Sequence, residues 1–146
     1  MRVLIDTNVV LDYMQNREPF ASDAEFIMGK CFEKELSGGI AAHSVTNIFY
    51  ILRRAKVPVD ICRANLKLIC NLLEVVGISK ADILSILEDS KFNDIEDCLQ
   101  NKCAKTYRAD YIITRNIRDF SGSDIPCIEP REFIEKKLSL ILTWHY

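Results

Sequence analysis

Apolar and polar positions change period repeatedly along the chain, and the changes mark out strands alternating with helices. Val3, Leu4 and Ile5 form an unbroken apolar run that stops at Asp6, passes through Thr7 and Asn8, and then resumes apolar spacing. A buried parallel strand handing over to a helix across a tight turn reads this way, with Asp6 at the strand's carboxyl end. Val9, Val10 and Tyr13 keep the following segment helical to about Met14, and Arg17, Glu18 and Pro19 break it. From Ser22 to Glu35 a helix is predicted, because Ala24, Ile27, Met28, Cys31, Phe32 and Leu36 recur at helical spacing; Gly38-Gly39 ends it. Ile40 to Ala42 predicts a short buried strand closed by His43 and Ser44. Val45 to Arg54 predicts a helix stopping before Pro58, and Ile61, Ala64, Leu68, Ile69 and Leu72 predict another that starts near Asp60.

The second half repeats the alternation. Leu73 to Val76 predicts a third strand bounded by Gly77, and Ser79 with Asp82 has capping-box spacing ahead of the apolar Ile83, Ile86 and Leu87. A similar pair, Asn93 with Glu96, opens a helix from Asp94 to about Tyr107 with Ile95, Cys98, Leu99 and Cys103 on its core face. Tyr111 to Thr114 predicts the fourth strand and Cys127-Ile128 a short edge strand. Pro130 suits the first turn of a last helix carrying Phe133, Ile134 and Leu138. This order implies a three-layer α/β/α sandwich around a mainly parallel sheet of four or five strands. Residues 1–146 are expected to form one domain, with 137–146 a tail whose Leu, Ile, Trp and Tyr dock onto the core or a second subunit.

Composition narrows the class without naming an activity. An apolar fraction of 49% and a charged fraction of 27% over 146 residues are those of a globular chain able to bury a core, not of a disordered one. Nineteen basic and twenty-one acidic residues leave a net charge of −2, which neither indicates nor excludes a nucleic-acid substrate. Six cysteines without a C-x-x-C pair, mostly in apolar-periodic stretches, are expected to be free buried thiols in a reducing compartment. The opening segment reads neither as a signal peptide nor as a membrane span, so a cytoplasmic location is expected.

Carboxylates stand in three unexpected places. Asp6 ends the first strand, Asp94 and Asp97 share a face at the start of a helix, and Asp119 follows the fourth strand. If the first and fourth strands are central neighbours, these acids meet at the carboxyl edge of the sheet, where open α/β sheets bind ligands. Converging carboxylates raise one another's pKa values unless a cation neutralises them, and hard oxygen donors select Mg²⁺ or Mn²⁺. Each acid also has a plainer reading. Asp6 suits a turn, Asp94 the N-terminal charge of a helix, and Asp119 a partner for Arg115.

Four motifs carry a resemblance. Asp6-Thr7-Asn8-Val9, Ser44-Val45-Thr46-Asn47 opening a helix, Asn93-Asp94-Ile95-Glu96-Asp97-Cys98-Leu99-Gln100, and Ile112-Ile113-Thr114-Arg115-Asn116 with Asp119-Phe120 together resemble the PIN domain family, from Arg2 to about Phe133. The resemblance points within that family to small VapC-like prokaryotic ribonucleases. It implies an Mg²⁺- or Mn²⁺-dependent nuclease acting on RNA, in many members the toxin of a toxin–antitoxin pair, with an antitoxin partner and commonly a homodimer. It assigns Asp6, Asp97 and Asp119 to the metal and catalytic set, with Asp94 as an additional acid. Asn47 departs from the pattern, since many active members place a glutamate there. Asp94 or Glu96 can make up the missing charge, with Glu96 the poorer candidate because the capping box uses it. The departure leaves an inactive RNA- or protein-binding module as the alternative.

Supporting roles follow from chemistry. Asn8, Asn47, Thr114 and Asn116, with Thr7, are short polar side chains able to orient water or a ligating carboxylate. Arg115 and Arg118 flank Asp119, while Arg53 and Arg54, beside Lys56, form the densest basic group; all four arginines are candidates to hold phosphates. Arg115 has the alternative of a local pair with Asp119. His43 stands at a strand end and is assigned no catalytic role. A dehalogenase-type phosphotransferase would need an acid where Asn8 stands, and the Gly38-Gly39 pair lacks the lysine of a phosphate loop.

Overall fold

The computed structural model describes residues 1–143, with side chains through 137. Its strands are β1 (Arg2–Ile5), β2 (Ser37–Ala41), β3 (Glu74–Val76), β4 (Tyr111–Ile113) and β5 (Cys127–Ile128). They form one sheet in the order β3-β2-β1-β4-β5, parallel throughout. The helices are α1 (Thr7–Met14), α2 (Ala21–Phe32), α3 (Ala42–Arg54), α4 (Val59–Leu72), α5 (Lys80–Glu88), α6 (Ile95–Tyr107) and α7 (Pro130–Thr143).

Apolar residues on both faces of β1 explain its central place. Val3 and Ile5 pack into a cluster with side chains of α1, α2, α3, α4 and α7, whereas Leu4 packs with Cys103, Ala104 and Tyr107 of α6 on the opposite face. All three are fully buried, each contributing about 1.5–3 kcal/mol of transfer free energy. The layers are therefore helix, sheet, helix, as the alternation of elements predicts. On the outer side of α6 lies α5, opened by the predicted Ser79–Asp82 capping box. Of its expected core face only Ile86 is buried; Ile83 and Leu87 are exposed.

Several boundaries differ from those expected. Gly38 and Gly39 do not end a helix but lie inside β2. A Cβ on Gly38 would stand 2.6 Å from Leu73 Cδ2, and one on Gly39 would stand 2.8 Å from the Tyr107 ring. The two glycines let helices from both layers approach the sheet closely. Helix α3 begins at Ala42, so His43 and Ser44 belong to its first turn and not to the end of a strand. The expected cap of α6 is also displaced by one residue, from Asn93 to Asp94. Helix α7 runs through position 137, where the tail was expected to begin. The docking expected of that tail lies outside the described side chains. All six cysteines are free. Among the described residues no helix is long and apolar enough to cross a membrane.

Candidate active site

The chain leaves β1 toward β2 and β3 on one side and later returns to place β4 and β5 on the other. This reversal opens the crevice between β1 and β4 at their carboxyl ends, the switch point where such sheets bind ligands. Register aligns Ile5 with Ile113, so Asp6 and Thr114 leave the sheet side by side. The Thr114 hydroxyl donates to Asp6 Oδ2 at 2.7 Å, and the Thr7 amide donates to Oδ1 at 2.7 Å as Asp6 caps α1. Thr114 Oγ1 in turn accepts the Asn116 amide at 3.0 Å. Asp6 is 8% exposed. Burial raises its pKa against the lowering effect of these two hydrogen bonds, and the charges of Glu96 and Asp119 raise it further.

Asp94 caps α6, accepting the amides of Glu96 at 2.7 Å and Asp97 at 3.4 Å. That arrangement fixes the first turn from which Asp97 projects. Asp97 is half-buried, and its carboxyl is pushed up to about 7, first by desolvation and then by the charges of Asp119, Asp94, Asp6 and Glu96. Asp119 is exposed on a 3₁₀ turn, Ile117–Phe120, whose amide at Asp119 donates to Asn116 O. The predicted acids thus share one electrostatic neighbourhood. Among the described residues, however, no three His, Cys, Asp or Glu side chains close on a single point at ligand distance. The two observations agree, because charge acts over a longer range than coordination.

The donor chemistry fits a hard divalent cation. All the acidic donors are oxygens, and their mutual repulsion is relieved by positive charge. Asn8 Oδ1, in the first turn of α1, is buried with no partner. Asp6, Asp97 and Asp119 are the side chains that would hold the ion, with Asp94 committed to its cap.

Next to Asp6 lies a buried polar clamp, of which the sequence singled out only Thr7 for a supporting role. Thr7 donates to Ser44 Oγ at 2.8 Å, and Gln100 Nε2 donates to Ser44 at 2.7 Å and to Thr7 at 3.3 Å. All three residues are buried. Gln100 is one turn beyond Asp97, Ser44 one turn before Asn47, and Thr7 adjoins Asp6, so the clamp joins the three helices that carry the site. A glutamine on the core face of α6 is the one sequence signal that pointed to it.

The arginines divide differently from expectation. Arg115 does not pair with Asp119. Its Nε and Nη2 bind both oxygens of Asp12 at 2.6 and 3.2 Å, and its guanidinium stacks 4.0 Å from the Phe20 ring. Asp12, fully buried within the apolar run of α1, was not singled out by the sequence. Arg118 is exposed beside Asp119, in an open groove of about 590 Å³ lined also by Arg115, Asn116, Ile117 and Glu129. Arg53 spends Nη1 on Val57 O at 2.7 Å. Arg53 and Arg54 lie about 9–10 Å along α3 from Asn47, toward its far end. Asn47 donates to Glu96 Oε1 at 2.8 Å, which brings Glu96 to the site despite its expected capping role. His43 has a pKa lowered by burial, with both ring nitrogens buried and without a hydrogen-bond partner.

Comparison with known proteins places this geometry. The chain is similar in fold to FitAcB from Neisseria gonorrhoeae, with a TM-score of 0.66 and 16% identity over 88% of this chain and 98% of that one. It is likewise similar to VapBC2 from Rickettsia felis bound to a promoter DNA fragment (TM-score 0.64, 16% identity, 88% and 98% covered). A toxin–antitoxin complex from Klebsiella pneumoniae gives a TM-score of 0.62 at 19% identity, covering 88% and 97%. No curated protein matches. The PIN domain model matches residues 2–118, most of the chain, which takes in Asp6, Asp94 and Asp97 and stops one residue before Asp119. The chain therefore belongs to the PIN domain family.

Proposed function

We propose that this protein is a divalent-metal-dependent endoribonuclease and the toxin of a toxin–antitoxin pair. PIN domains are generally nucleases, which gives the activity class. The observation that carries the finer reading is the raised Asp97 carboxyl, a side chain under the charges of four other acids at the crevice between β1 and β4. Such a grouping costs stability and has a use when positive charge enters it.

Asp6, Asp97 and Asp119 hold the ion, and Asp94 sets the turn from which Asp97 projects. A divalent ion bound there supplies Lewis-acid activation of water and neutralises charge on the scissile phosphate. Thr114 keeps Asp6 Oδ2 oriented, and the Thr7–Ser44–Gln100 clamp fixes the spacing of α1, α3 and α6. Arg118 in its groove draws the phosphate backbone toward the acids, with Asn116 beside it. Arg115, engaged by Asp12, shapes that groove more than it grips substrate.

The partners are an RNA substrate, a cognate antitoxin and a second copy of the chain. Supporting the antitoxin are the names of the structural neighbours and a groove of about 370 Å³ between α1, α2 and α4. That groove is lined by Tyr13, Met14, Ala21, Leu68 and Leu72, with Tyr13 and Leu68 exposed. The test is digestion of matched single-stranded RNA and DNA with Mg²⁺, Mn²⁺ or chelator. Cutting of RNA that needs the metal is expected. RNA binding without cutting in either metal would favour an inactive binding module, the reading that Asn47 supports.

A further inference from the structure

A second cavity adjoins the groove that holds Arg118 and Asp119. It measures about 360 Å³ and is lined by Pro19, Phe20, Arg115, Glu129 and Pro130, and by the ion-paired Arg131 and Asp23 (2.7 Å). Arg115 and Glu129 line both cavities, so the two are neighbours across a shared wall. Phe20 carries the Arg115 guanidinium 4.0 Å from its ring centroid and is still 38% exposed, which leaves a large apolar ring open beside the groove. The cations of this cavity are already engaged, Arg115 by both oxygens of Asp12 and Arg131 by Asp23. Glu129 is not: it is exposed, and its carboxylate takes no hydrogen bond or ion pair from a described residue.

We propose that this cavity is a nucleobase subsite flanking the cut, with Phe20 as its stacking platform and Glu129 as the reader of a guanine. The inference rests on the nuclease reading, and the test separates the two. Single-stranded RNA is read by splaying a base out, stacking it on an aromatic or guanidinium plane and hydrogen-bonding its Watson–Crick edge. The Phe20–Arg115 pair supplies such a plane, with Pro19 and Pro130 as further apolar walls. An ionised carboxylate only accepts hydrogen bonds. Guanine alone offers it two adjacent donors, the N1–H and the 2-amino group. Adenine and cytosine set an acceptor beside their amino group, and uracil sets a carbonyl on each side of its N3–H. An acid also repels phosphate, so Glu129 is unsuited to holding the backbone and suited to choosing a base. Its plainer role, a negative charge ahead of α7 at Pro130, has no bearing on base identity. The cavity is at the small end of the range for ligand clefts, room for one base.

The measurement is fluorescence anisotropy of labelled oligouridine, either uridine throughout or carrying one central guanosine, adenosine or cytidine, in chelator so that nothing is cut. It is read for wild type, F20L and E129Q, with melting curves to confirm the fold. F20L keeps apolar bulk while removing the ring; if it fails to fold, E129Q alone decides. Wild type is expected to bind the guanosine oligonucleotide about tenfold tighter than the other three. E129Q is expected to abolish that difference, and F20L to weaken the guanosine oligonucleotide about tenfold. Equal binding of all four by wild type, a guanosine preference that survives E129Q, or no binding of any of them overturns the subsite. Undiminished binding by F20L overturns the stacking platform. Metal-dependent cutting of RNA is the separate readout: where it persists, only the subsite falls, and where it is absent too, the nuclease reading falls with it.

Discussion

At the scale of single residues, the most telling group is Asp97. Its carboxyl is pushed up to about 7 in the folded chain from its ordinary 3.8, first by desolvation and then by neighbouring acids. Below both values the group is protonated in both states and contributes no pH dependence. Between them the folded state keeps a proton that the unfolded state has released, so stability falls as pH rises, and above about 7 the penalty is constant. The metal-free D97N variant should therefore melt like wild type near pH ~3, gain on it through this window and hold its advantage above it. Melting curves across the range check this, and a difference that ignores pH would contradict it. The candidate acids were legible in the sequence because each stands where packing gives no reason for an acid. Glu96, read as the capping-box partner of Asn93, accepts instead from Asn47. The choice between Asn93 and Asp94 as cap decides that point, and it depends on backbone angles that spacing does not encode.

At the scale of elements, the segment after β4 is tied to α1 by Arg115 and the buried Asp12, with Arg17 a further 3.9 Å contact on the same carboxylate. Removing Arg115 leaves Asp12 buried and poorly compensated. R115A should cost about 3 kcal/mol in urea unfolding, at the lower end for a broken buried pair because Arg17 remains. R115K should recover only part of that, since an ammonium cannot form the two parallel bonds. Unfolding indistinguishable from wild type would show that the pair does not anchor this segment. Asp12 escaped the sequence reading because its partner is distant in the chain, and an acid in a short helix ordinarily faces solvent. Gly38 and Gly39 misled for a related reason. As a pair they read as a helix stop, and only the Leu73 side chain and the Tyr107 ring pressing on either face of β2 reveal why a strand needs them.

Across the whole molecule, strand order does the organising. With β1 central and β4 beside it, one sheet edge gathers the ends of β1 and β4, the starts of α1, α3 and α6, and the turn bearing Asp119. The alternation of elements was sufficient to read the layers, and the motif order sufficient to read the family. What remained illegible were contacts between elements, namely the Thr7–Ser44–Gln100 clamp, Asn47 with Glu96, and Arg115 with Asp12.

The central claim is that acids from separate segments work as one centre. It is tested most directly by RNA digestion with D6N, D97N and D119N, each neutralising one segment's contribution while the circular dichroism spectrum confirms the fold. Each substitution should slow metal-dependent cutting by about a hundredfold or more, the equivalent of about 3 kcal/mol of barrier. Wild-type cutting by any one of the three would contradict the account.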